Sequence, residues 1–86
     1  MTDEPAAYIA AALSSLGITF HSLVVSRYEP MVFGNLRASV ETSAGTLRII
    51  YDRGFFVEAD QWPDDAPSME EIMTELTLRR EAANGS

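Results

Sequence analysis

Eighty-six residues leave room for one domain, and a hydrophobic fraction of 47% with only four prolines marks a folded globule rather than a disordered tail. Thirteen acids against six arginines and no lysine give a net charge of −7, which repels nucleic-acid phosphates and anionic membranes and attracts basic surfaces. The chain has no cysteine, so disulfides, thiolate metal sites and cysteine nucleophiles are excluded, and a reducing, cytoplasmic setting is expected.

The opening segment MTDEPAAYIAAALSSLG predicts a helix. Its acids stand where a signal peptide needs positive charge, and no run of eighteen apolar residues exists to span a bilayer. Thr2 or Asp3 can cap it, Pro5 is tolerated in its first turn, and Ile9, Leu13 and Leu16 form an apolar stripe that Gly17 ends. From Ile18 the period changes. ITFHSLVVSRYE is rich in β-branched and aromatic residues and reads as a strand, with its alternation blurred at Leu23, Val24 and Val25. Glu29-Pro30 ends it, because proline restricts the residue before it and supplies no donor.

A second strand opens at Gly34-Asn35, with Leu36, Ala38 and Val40 on one face and Arg37, Ser39 and Glu41 on the other. TSAGT makes a tight turn, with Gly45 free to take positive φ. TLRIIYD puts Leu47, Ile49 and Tyr51 on one side and Arg48 and Ile50 on the other, and FFVEA follows the turn DRG as a short fourth strand. Such short connections make the last three strands an antiparallel meander. Phe33, Tyr51, Phe55 and Phe56 are then expected in the core or in turns. Beyond Trp62-Pro63, Ser68-x-x-Glu71 is a capping box that opens a helix. Met69, Ile72, Met73 and Leu76 are its buried stripe, and Arg79 and Arg80 are placed in its last turns, where cations suit the dipole.

The expected fold is therefore α+β: a four-stranded antiparallel sheet in the order α-β-β-β-β-α, with the N- and C-terminal helices packed on one face. One domain covers 1–84, and Gly85-Ser86 is set apart as a frayed tail or a cloning remnant. The other face of the sheet, with Arg37, Arg48 and Glu41, is expected to stay wet.

Reactive chemistry is sparse. His21 is the only histidine, so no histidine cluster can bind zinc, and a surface or hydrogen-bonded strand residue is the expectation for it. No serine lies in a nucleophile elbow, and no glycine-rich loop can cradle phosphate. DQWPDDAP lacks the ligand spacing, turn glycine and terminal glutamate of a calcium loop. Carboxylate pairs for glycoside hydrolysis are nominally present, but so small a domain has little room to enclose a sugar. The arginines are scattered, without a basic stripe for nucleic acid. The expectation is a protein that is not an enzyme and carries no metal or cofactor.

The segment Glu58 to Glu75 holds seven carboxylates, no basic residue and the only tryptophan. Acids near a helix start complement its dipole, and Trp62 can close the end of the sheet. The same residues can serve recognition, since acids steer a basic partner and tryptophan is a favoured anchor. The candidate partner-binding residues are Trp62, Glu58, Asp60, Asp64, Asp65, Glu70 and Glu71.

The run FGNLRASVETSAGTLRIIYDRGFFVEA, with its YDRG turn at Tyr51 to Gly54 and the Trp and capped helix that follow, resembles small bacterial immunity-type proteins from Phe33 onward. The resemblance implies a cytoplasmic inhibitor that neutralises a toxin by masking a basic site, and it carries over no catalytic residue. The function expected is occlusion of a basic protein partner, a bacterial toxin or effector, without nucleic-acid or membrane binding, by a monomer or homodimer. Two alternatives stand beside it. One is a phage-type inhibitor whose acids imitate nucleic-acid charge; the other is a small assembly module that dimerises through the sheet face, where Ile50 lies between Arg37 and Arg48.

Overall fold

Six elements follow one another in the predicted order: α1 (Glu4–Ser15), β1 (Phe20–Glu29), β2 (Asn35–Thr42), β3 (Thr46–Tyr51), β4 (Phe55–Ala59) and α2 (Met69–Gly85). The computed structural model describes residues 4–29 and 35–85; the proposed caps Thr2 and Asp3, and Pro30, Phe33, Gly34 and Ser86, lie outside them. The four strands form one antiparallel sheet in the order β1-β2-β3-β4, so the meander includes β1 as well as the three strands after it.

Local chemistry explains the joints. At the end of α1 the Gly17 N–H donates to the Ser14 carbonyl and the Ile18 N–H to the Leu13 carbonyl, at 3.0 and 2.9 Å. This double closure requires the left-handed φ of +76° at Gly17, which glycine adopts without a Cβ penalty. It leaves Leu16 just past the helix, half-buried against the core. At the other helix, the Ser68 N–H donates to Glu71 Oε1 at 2.9 Å and the Glu71 N–H donates to Ser68 Oγ at 3.1 Å, the reciprocal pair that the capping box predicts. In the DRG turn the left-handed residue is Arg53, with φ of 64°.

The blurred alternation of β1 has a physical cause. Its pairing with β2 slips between Phe20 and Ser22 and again between Val25 and Arg27. Each slip inserts an extra residue, so Leu23 and Val25 still pair with the inward Val40 and Ala38 while Val24 pairs with the outward Ser39. The strands β2 to β4 run in unbroken register, with Ala38, Ile49 and Val57 side by side.

One core lies between the inner sheet face and the two helices, which pack on each other and on opposite edges of the sheet. Leu13, Leu36, Ile49, Val57, Ile72 and Leu76 all belong to it, joined by Ile9, Val40 and Leu47. At one end an aromatic group continues it. Tyr8 meets Phe55 edge-on at 6.3 Å between ring centroids, Phe55 meets Tyr51 at 4.7 Å, and the Arg80 guanidinium lies 4.1 Å from the Tyr51 ring centre.

Two expectations are corrected here. Phe56 is not in the core: it is 62% exposed on the outer face, because β4 alternates inward Phe55 and Val57 with outward Phe56 and Glu58. Arg79 and Arg80 do not sit in the last turn of α2, since that helix continues to Gly85. Their contacts are local rather than dipolar: Arg79 pairs with Glu75 at 2.9 Å, and Arg80 covers Tyr51. The helix also takes in Gly85, the first residue of the segment set apart as a tail.

Ile49 is fully buried at the centre of the sheet, so Ile49→Ala should lower unfolding free energy in urea by about 2–5 kcal/mol with an unchanged m-value. An alkaline prediction follows from Tyr8. Burial pushes its phenol up to about 12, against the opposing pull of the Arg80 cation. A raised folded-state value means that the folded protein holds this proton where the unfolded chain has released it. Stability is then fully present below about pH 10 and falls as pH rises toward about 12. Denaturation monitored across this range should show the loss in the parent and a smaller one in Tyr8→Phe.

Candidate functional site

The chain leaving β4 turns back across the end of the sheet. Gln61 takes a left-handed φ of 55°, and the turn it makes presses Trp62 onto the β2–β3 hairpin. A Cβ added to Gly45 would lie 3.2 Å from the Asp60 carbonyl oxygen and 3.6 Å from the indole ring, so any side chain there crowds the returning loop. The hairpin is itself tied by Thr42, whose hydroxyl donates to the Gly45 carbonyl at 2.7 Å and accepts from the N–H groups of Ala44 and Gly45. Trp62 Nε1–H donates to the Pro67 carbonyl at 2.7 Å, which closes the loop from 62 to 67 on itself just before the Ser68 cap. The indole is half-buried against the core, with its polar edge satisfied inside its own loop.

What remains open of Trp62 borders a shallow cleft of about 350 Å³, with Leu16, Ile18, Ala44, Pro63, Asp65 and Pro67 around it. Leu16 also borders a second depression, whose other sides are Glu70, Glu71, Thr74 and Glu75. The two hollows therefore meet at Leu16 and make one end surface, from the indole to the first turns of α2. Four carboxylates line it, and no basic side chain does.

The seven candidate residues do not form one patch. Trp62, Asp65, Glu70 and Glu71 share the end surface, with Asp64 exposed in the loop beside Asp65. Glu58 and Asp60 belong elsewhere: both reach Arg48 on the outer sheet face, at 3.3 and 3.4 Å. The two carboxylates hold the Arg48 guanidinium above its ordinary value, Asp60 first and Glu58 second. Glu71 is engaged in the capping box and Glu75 in the pair with Arg79. Leu16 and Gly45 complete the site and escape sequence reading, because their proximity to Trp62 arises only when α1 and the hairpin are brought to the same end.

His21 is an exposed strand residue whose Nε2 stands 3.4 Å from Glu41 Oε1. Among the described residues, no group of three or more His, Cys, Asp or Glu side chains is arranged to hold a metal ion. Among them, too, no helix is long and apolar enough to cross a membrane. No protein-family model matches the chain, and neither the curated proteins nor the solved structures provide a match.

Trp62→Ala should cost about 2–4 kcal/mol in folding stability, less than a fully buried tryptophan because one side of the ring is open. Gly45→Ala should cost about 1–3 kcal/mol by forcing the indole loop off the hairpin, and it should shift tryptophan emission to the red. Equilibrium unfolding followed by fluorescence reads both.

Proposed function

We propose that this protein is a non-enzymatic acidic binding protein that neutralises a basic protein partner by occlusion, in the manner of an immunity or inhibitor protein for a bacterial toxin or effector. The observation that carries the reading is the end surface around Leu16, where exposed apolar area from Trp62 and Leu16 lies among Asp65, Glu70, Glu71 and Glu75 with no cation lining it. Apolar area of this kind contributes affinity once water is excluded, and the carboxylates supply long-range attraction and orientation toward Arg or Lys of the partner. Asp64, Asp65 and Glu70 are exposed and enter none of the ion pairs found among the described residues, so a partner's cations meet them without displacing an internal arginine. A cytoplasmic location fits that role.

The proposed partner is a protein with a basic face, and the reading includes no nucleic acid and no membrane. The test is to recover the partner from the native host with the tagged full chain and then measure association by surface plasmon resonance over a salt series. The association rate should fall as salt rises while dissociation changes less. Asp64→Arg with Asp65→Arg should slow association by about tenfold at fixed low salt without lowering the melting temperature. An association rate indifferent both to salt and to this charge reversal would remove the steering role from the end surface.

A further inference from the structure

The two edges of the sheet are built differently. β1 is interrupted by two register slips and carries the Arg27–Glu29 ion pair at 2.9 Å, features that discourage another strand from pairing there. β4 has neither. It runs Phe55–Ala59 in unbroken register with β3, without proline or lysine. Beyond Ala59 the chain turns across the hairpin end, where the Asp60 carbonyl and Trp62 lie against Gly45, rather than along the outer side of β4.

The direction of the free main-chain groups can be deduced. The Asp52 N–H donates to the Gly54 carbonyl across the β3–β4 turn. Successive residues of a strand alternate, so Ile50 and Arg48 also point their main-chain groups at β4 and bond to Phe56 and Glu58, their register partners. Phe55, Val57 and Ala59 therefore turn their N–H and C=O groups to the open edge. No hydrogen bond from elsewhere among the described residues meets them. On the outer face, Phe56 is 62% exposed and directly beside Ile50.

We infer that β4 is a self-association edge, on which a second copy of this chain pairs antiparallel to give one sheet running through both copies. Phe55 of each copy exchanges main-chain hydrogen bonds with Val57 of the other, and the two Phe56 rings meet across the dyad. The outer-face row of half-buried Ile50 and exposed Phe56 is then continued by Phe56 and Ile50 of the second copy. A like copy suits this edge because pairing about Phe56 sets the exposed ring of one copy against that of the other and joins the two Ile50–Phe56 rows, while the −7 on each copy opposes the approach. The interface is separate from the acidic end surface, and the inference does not rest on the partner reading.

Sedimentation velocity on the full chain, at concentrations rising to millimolar, should show a monomer–dimer equilibrium. Each copy carries −7, so dimerisation should strengthen with salt, opposite in sign to the partner association above. Phe56→Glu should weaken the dimer at least about tenfold with the melting temperature of the dilute monomer unchanged. The cysteine-free background permits a geometric check: Phe56→Cys should form a disulfide-linked dimer on mild oxidation, because directly opposed non-hydrogen-bonded residues lie within disulfide reach. Val24→Cys, exposed near the other edge, should not. A parent chain that stays monomeric throughout overturns the inference, and so does a dimer indifferent to Phe56→Glu or cross-linked through position 24 instead of 56.

Discussion

An antiparallel meander of four strands has one apolar face and no means of burying it alone. Everything else in this protein follows from how that face is covered. Leu36, Ala38, Val40, Leu47, Ile49, Phe55 and Val57 present a continuous hydrophobic layer, and α1 and α2 together supply Ile9, Leu13, Ile72 and Leu76 to seal it. The two helices come from opposite ends of the chain, so the cover is complete only when the termini meet above the sheet. A chain of this size has little apolar area to spare, and both helix ends are accordingly fixed by specific hydrogen bonds, the double closure at Gly17 and the Ser68–Glu71 box.

The same demand explains why a tryptophan sits amid so many carboxylates. The connection from β4 to α2 has to leave the sheet and rise to the helix layer, and Trp62 gives that crossing a hydrophobic foothold on the β2–β3 turn. Its indole N–H is spent on the Pro67 carbonyl, so burying the ring leaves no unmet donor. The acids around it have separate reasons to be there. Glu71 caps, Glu75 pairs with Arg79, and Glu58 and Asp60 flank Arg48. Asp64, Asp65 and Glu70 enter no ion pair among the described residues, and Asp65 and Glu70 join Glu71 and Glu75 in giving the end surface its charge.

Charge and apolar exposure are thus separated in space. The end around Leu16 is acidic with a small apolar centre, whereas the edge at β4 exposes Phe56, with Glu58 and Asp60 sharing Arg48 nearby. On the two proposals made above, a self-paired chain presents two such ends at once, and salt acts on the two associations in opposite directions.

Much of this was legible in the sequence because it depends on short-range rules. The period of Ile9, Leu13 and Leu16, the alternation from Leu36 to Ile49, the glycine at 17 and the Ser-x-x-Glu box each dictate local geometry through the backbone alone. These determined the element order, the inward residues and the one-sided α+β packing. The slips in β1 showed only as a blurred pattern, because a bulge is defined by the partner strand rather than by its own residues. The outward turn of Phe56 was implicit in the alternation but obscured by its hydrophobicity. What only the tertiary structure decided is which distant residues share a surface. Leu16, Gly45 and Trp62 meet because α1, the hairpin and the last loop end at the same side of the sheet, and Glu58 and Asp60 part from Asp65 because the alternation of β4 sets Glu58 on the outer face, where both acids reach Arg48. Such groupings depend on contacts between residues far apart in the chain, which local periodicity does not encode.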